Sequence, residues 1–291
     1  MGGDRTNLEV ILENSLTSGF DDIKDAKLGL VGCGIGQPPH YRHRATLQKL
    51  CGEIPDLCGK ELANSLYDCL LENWSKRSPQ NNPSRQNWQF TRVEKFARRN
   101  SSPEVTFERC LVQAADDNWA NQVPTCAGVF SSSADTRRAI DLVKSASSGS
   151  YDLIELKIAS DTPLYAALEV LDYGAIYTFC RTHADELGYE AGFSPLLEAD
   201  KIGLSVLAPR AYYQLSSGPA ALGWLDEIMN VAARSLAEIS GHRLEMDFRF
   251  ECFEDNFVWD PYLHQVDPST ASEYALEAIE ARHALDMEIH A

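Results

Sequence analysis

The chain has 291 residues, 44% hydrophobic and 24% charged, which is an ordinary balance for a water-exposed globular fold with ample volume for a core. No apolar run approaches bilayer length and no basic stretch leads into an apolar one at the N-terminus, so membrane insertion and export are not expected and the predicted compartment is cytoplasmic. The net charge of −17 is lopsided: residues 1–150 carry 18 Lys+Arg against 18 Asp+Glu, and residues 151–291 carry 8 against 25. An acidic half of this kind repels nucleic acid unless metal and the basic stretch Lys76 to Arg99 offset it, so a free-standing, nonspecific nuclease is disfavoured.

Along the chain, Lys27-Leu-Gly-Leu-Val-Gly-Cys-Gly-Ile-Gly36 invites comparison with a dinucleotide-binding turn. It lacks the third glycine at the required spacing, and Pro38-Pro39 stand where the phosphate-binding helix should begin. His40 and His43 are interleaved with Arg42 and Arg44, whose charge disfavours a metal cation. From Ala45 to Trp74 apolar residues recur at helical spacing, predicting one or two helices broken near Pro55. The polar run Ser78 to Asn87 reads as a linker, and Arg92 to Arg99 as a basic helix with Trp88, Phe90 and Phe96 nearby. Eight cysteines at 33, 51, 58, 69, 110, 126, 180 and 252 show no CxxC or zinc spacing, so reduced thiols are expected.

A helix is predicted from Pro103, carrying Glu108. Trp119 to Pro124 reads as a loop into a first strand over Thr125 to Phe130. Two further strand-like runs, Arg138 to Lys144 and Tyr151 to Ile158, flank the polar break Ser145 to Ser150. With the turn near Ser148, Asp141 lies opposite Glu155, and strand parity groups Asp141, Glu155 and Lys157 on one face. A helix over Thr162 to Arg181 follows, with Thr162 as N-cap, Pro163 at its first position, and Gly174 explained by close packing on the sheet. Ile202 to Ala208 is a fourth strand, Leu222 to Ile239 a helix stopped by Gly241, Leu244 to Cys252 a half-exposed edge strand, and the tail from Pro268 an acidic helix.

An Asp on one strand, a hairpin, then Glu-Leu-Lys on the next resembles the PD-(D/E)XK nuclease superfamily, the restriction-endonuclease-like fold, over roughly residues 103–255. The "PD" half is reduced to Ile140-Asp141. The resemblance implies an α/β architecture: a mixed central sheet flanked by helices (an αβββαβ core), with a mainly helical N-terminal region. The expected organisation is 1–87 helical or irregular, 88–267 nuclease-like, and 268–291 an acidic C-terminal helix. It also implies a Mg²⁺- or Mn²⁺-dependent phosphodiester hydrolase, with Asp141, Glu155 and Glu108 as metal-ligating carboxylates and Lys157 orienting or deprotonating water. Glu169 and Tyr173 are secondary candidates on the crossing helix, although many relatives carry glutamine or lysine there. The implied substrate is nucleic acid, DNA before RNA, within a complex or under regulation such as genome defence, and a homodimer is a common state among the resembled enzymes. The acidic C-terminal half supports the alternative of a catalytically silent nuclease-fold subunit that binds a protein partner.

Overall fold

The computed structural model describes residues 15–30, 38–77, 82–96, 102–158, 161–214, 219–241 and 243–286. The glycine run beyond Leu30, Arg98 and Arg99 lie outside the described residues.

Eight helices and six strands are present among the described residues. Three helices come first: α1 (Phe20–Lys27), α2 (Arg44–Gly52) and α3 (Gly59–Ser75). Next are α4 (Pro103–Ala114) and the strands β1 (Trp119–Pro124), β2 (Ala139–Ser147) and β3 (Ser150–Leu156). The chain then alternates through α5 (Pro163–Thr182), β4 (Lys201–Pro209), α6 (Gly223–Ile239) and β5 (Glu245–Phe253). The short α7 (Leu263–Val266), α8 (Pro268–Glu280) and a two-residue β6 (His283–Ala284) close it.

The strands form one open mixed sheet in the order β1-β2-β3-β4-β5-β6. The first three make an antiparallel meander, in which Asn121 faces Leu142 and Leu142 faces Ile154. Gly149, at φ 73°, turns β2 into β3 in a backbone conformation that favours glycine. Crossover through α5 and α6 makes β3, β4 and β5 parallel, with Leu153 beside Leu204 and Leu204 beside Phe248. Both sheet faces are covered. On one, Leu153, Leu204, Val206 and Phe250 pack with α5, α6 and the N-terminal helices. On the other, Leu142, Ile154, Leu156 and Leu207 pack with Phe107 of α4 and Ala271, Ala275 and Ile279 of α8.

Sixteen of the twenty residues of α5 are buried, which marks a helix covered on all sides: the sheet lies on one side and α3 on the other. Thr162 Oγ1 accepts from Tyr165 N at 3.2 Å and Pro163 stands at the first position, so the start is set by the capping expected from sequence. A methyl at Gly174 would meet Leu204 Cδ1 at 2.8 Å, so this glycine lets α5 lie close on β4.

Three expectations are corrected. The first strand is Trp119–Pro124, and Thr125 to Phe130 is turn and irregular chain. The strand escaped notice because it is polar. Asn121 is buried and uses its amide on the main chain of Val93, accepting from Val93 N at 2.7 Å and donating to Val93 O at 3.2 Å. Second, residues 91–96 form no helix and carry no regular secondary structure. Arg92 turns its guanidinium onto Val112 O and Ala115 O at the end of α4, where helix carbonyls attract a cation. Third, the acidic helix expected over 268–291 ends at Glu280 and is followed by β6, and its small apolar face is spent on α4 within the same molecule.

Candidate active site

The meander and α5 bring the charged residues singled out in the sequence to one place. β2 and β3 part company past the Leu142–Ile154 pair, and there Asp141 accepts from Leu156 N at 3.0 Å. Lys157 continues β3 by donating its N–H to Leu207 O at 2.9 Å, and the next residue, Ile158, donates to Glu104 Oε1 of α4 at 3.1 Å. The end of β3 is therefore pinned from both sides, which fixes the direction of the Lys157 side chain. Its Nζ lies 2.6 Å from Glu155 Oε1 and 2.9 Å from Glu169 Oε2.

Glu108 reaches the same region from α4 and is fully buried. Its Oε2 accepts from Gln122 Nε2 at 2.6 Å. Gln122 has φ 52°, an unusual angle for a side-chain-bearing residue, and it sits in β1 where the sequence suggested a loop. Its contribution was not foreseen. Tyr173 is buried one turn beyond Glu169, and its hydroxyl donates to Ala139 O at 3.0 Å, so it braces the start of β2.

The electrostatics are those of too many acids for one base. Burial, and then the charge of Asp141, push Glu108 well above the usual carboxylate range. Burial also lifts Asp141 to about 6, although Lys157 and the Leu156 N–H oppose the rise. Glu155 rises further through burial and the charges of Asp141 and Glu169. Burial acts against Glu169 too, but Lys157 holds it below the ordinary value. Burial likewise opposes the Lys157 ammonium, yet Glu155, Glu169 and Asp141 hold it above the ordinary lysine value. Lys157 is thus a fixed cation, a donor rather than a base, and burial favours the protonated form of Asp141 and Glu155.

Among the described residues no donor reaches two buried carboxylate oxygens here, Glu108 Oε1 and Glu155 Oε2, although the Glu155 carboxyl lies within hydrogen-bonding reach of Asp141 and Glu169. Orphaned, hard oxygen atoms beside an excess of negative charge suit a cation such as Mg²⁺ in donor type. No group of three or more His, Cys, Asp or Glu side chains stands ready around one point among the described residues; Lys157 lies between Glu155 and Glu169 instead. His40 and His43 do not join the cluster: His40 N donates to Asp25 Oδ2 at 2.9 Å, and His43 precedes α2.

The basic stretch expected to meet phosphate is largely used internally. Lys76 pairs with Glu72, Arg77 lies over the Trp74 ring, Arg85 donates to Gly188 O, and Arg92 caps α4. Two surface depressions, about 710 Å³ beside Met246 and about 320 Å³ beside Phe193, include none of the cluster residues. No helix among the described residues is long and apolar enough to cross a membrane. No family model, no curated protein and no solved structure matches the chain.

Proposed function

We propose that the chain is a metal-dependent phosphodiester hydrolase of the PD-(D/E)XK type acting on nucleic acid, with Asp141, Glu155 and Lys157 at its centre. The observation that carries this reading is the surplus of buried carboxyls around one buried ammonium, with Glu155 Oε2 and Glu108 Oε1 left without donors. A purely structural ion pair has no use for that surplus, because every uncompensated buried charge costs stability. The order helix, three-stranded meander, crossing helix, parallel strand agrees with the core of the resembled fold.

In this reading Asp141 and Glu155 hold Mg²⁺ or Mn²⁺, with Glu108 as a third oxygen donor once it loses its proton. A bound ion of this kind supplies Lewis acidity toward the phosphate and toward water. Lys157 donates to the charge that builds on the phosphate oxygens as the P–O bond forms and the opposite P–O bond breaks. Glu169 keeps Lys157 charged and aimed, and Tyr173 steadies β2 below it.

The test is Mg²⁺-dependent cleavage of labelled duplex DNA, single-stranded DNA and RNA by wild type and by Lys157→Ala. Cleavage by wild type and not by the variant supports the assignment; equal cleavage by both removes Lys157 from the site. The second reading, a silent subunit that binds a protein, draws on the internal use of Arg77, Arg85 and Arg92 and on the acidic C-terminal half. Co-purification of a partner by a protein that neither binds Mn²⁺ nor cleaves would favour it.

A further inference from the structure

The N-terminal region places one arginine at the edge of the acid cluster. Arg42 ends the short 3-10 turn His40–Arg42 and is 45% exposed in its side chain. Its Nε donates to Asp161 Oδ1 at 2.8 Å, and its guanidinium lies 4.7 Å from the centre of the Tyr165 ring. The same ring has the Lys157 ammonium at 5.7 Å from its centre and Tyr41 stacked at 5.8 Å. One tyrosine therefore joins Arg42 to the centre of the site. Asp161 engages only Nε, so the two terminal nitrogens have no protein hydrogen bond among the described residues. A guanidinium placed over a ring, with its outer fork unbonded by any described residue, is available for bidentate contact with a tetrahedral oxyanion.

The placement of Arg42 is fixed rather than incidental. The preceding residue, Tyr41, has its N–H bound by Asp25 at 3.0 Å and its hydroxyl bound to Asp21 at 2.6 Å. Lys24, buried between these groups, donates to Asp172 of α5 at 2.7 Å. On the other side, Arg44 donates to Gln214 O, in the segment that follows Tyr212 and Tyr213. The Tyr212 hydroxyl is buried with no partner and senses the charges of Lys157, Asp161 and Glu155. It is a second donor on the same side.

We propose that Arg42 is a substrate-binding residue that grips a phosphate adjacent to the one being hydrolysed, with Tyr165 as its platform and Asp161 as its clamp. This rests on the nuclease reading, and it gives that reading the cationic contact that the stretch Lys76 to Arg92 does not provide. It also assigns the N-terminal helices a part in binding, since they deliver Arg42 to a site built by β2, β3 and α5.

The experiment measures anisotropy of a fluorescein-labelled oligonucleotide, duplex and single-stranded, in Ca²⁺ to suppress turnover. Wild type, Arg42→Ala, Arg42→Lys and Asp161→Asn are compared over a salt series, with Mn²⁺ binding followed in parallel by calorimetry. Arg42→Ala should weaken binding roughly 10-fold and lower the salt slope by about one phosphate contact, while Mn²⁺ binding is unchanged. Arg42→Lys should recover part of the affinity, because the charge stays and the fork is lost. Under Mg²⁺ the loss should fall on KM more than on kcat. Wild-type affinity and salt slope in Arg42→Ala, with Mn²⁺ binding intact, overturn the Arg42 assignment alone. Absence of Mn²⁺ binding in wild type overturns the metal reading, and absence of oligonucleotide binding by wild type overturns both.

Discussion

Lys24 and Lys157 are both buried, and each bonds a carboxylate of α5, Asp172 and Glu169, three residues apart on one helix. Their surroundings differ. Asp172 has Lys24 at 2.7 Å and feels the charge of Arg138 as well, so two cations serve it and the flanking Asp21 and Asp135, and burial still lifts it to about 6. Around Lys157 one cation serves more acids, with Glu155 and Glu169 in contact and Asp141 close enough to Glu108 to raise it. The balanced pair ties the N-terminal helices to the core, whereas the unbalanced one stores negative charge where a cation and a phosphate could meet. The two lysine sites thus differ in their balance of charge, and the proposed site at Lys157 rests on that difference.

Breaking the balanced pair should give the largest effect on stability. Lys24→Met leaves Asp172 buried without its partner and should cost about 3–5 kcal/mol, read by denaturant unfolding. The same kind of change in the unbalanced cluster should behave otherwise. Glu155→Gln removes one of the surplus acids, so unfolding in the absence of metal should move by less than about 1 kcal/mol while cleavage is lost. A loss of several kcal/mol in Glu155→Gln would erase the distinction between the two pairs.

The pH dependence sharpens the comparison. Asp141 has a folded value of about 6, above its ordinary one, so the folded state holds this proton longer than the unfolded chain does. Stability from this group is fully present below the ordinary carboxylate value and declines as pH rises through about 6, on the order of 3 kcal/mol. Glu169, held low, contributes in the opposite sense: its share is present above the ordinary value and lost as pH falls. Thermal melts without metal should therefore weaken between about pH 4 and pH 6, and Mg²⁺ should restore the melting temperature above that range. Lys157→Ala should be more destabilising at about pH 8 than at about pH 5, since the acids it leaves can take up protons only at the lower pH.

The smallest expected effects concern packing that supports the site. Gly174→Ala should cost about 1–3 kcal/mol, because the new methyl meets Leu204 at 2.8 Å in a packed interface. Arg92→Ala should cost about 1 kcal/mol by uncapping α4, with no change in nucleic-acid affinity. A fall in affinity for Arg92→Ala would return the basic stretch to the binding surface.

What was legible in the sequence and what was not has a physical pattern. Period-2 and period-3.6 patterning located β2, β3, α5, β4, α6 and β5, because those elements bury apolar side chains at regular spacing. Strand parity likewise put Asp141, Glu155 and Lys157 together. β1 was misplaced because Asn121 and Gln122 face inward to satisfy Val93 and Glu108, which makes a buried strand look like a loop. The fate of the basic residues was hidden for a related reason: charge is visible in sequence, and the carbonyl or ring that consumes it is not. Lys24 and Asp172 are 148 positions apart, so nothing local signals their pairing. Arg42 read only as a residue unfavourable to metal at His40 and His43, and its value emerged once Tyr165 and Asp161 were beside it.

The most direct test of the central claim is calorimetric titration of Mn²⁺ into wild type and Glu155→Gln at about pH 7.5 and about pH 5. Wild type should bind at the higher pH with release of protons, bind far more weakly at the lower one, and lose binding in Glu155→Gln. No binding by wild type, or equal binding by Glu155→Gln, would contradict the account, because the surplus of carboxyls around Lys157 would then have no cation to hold.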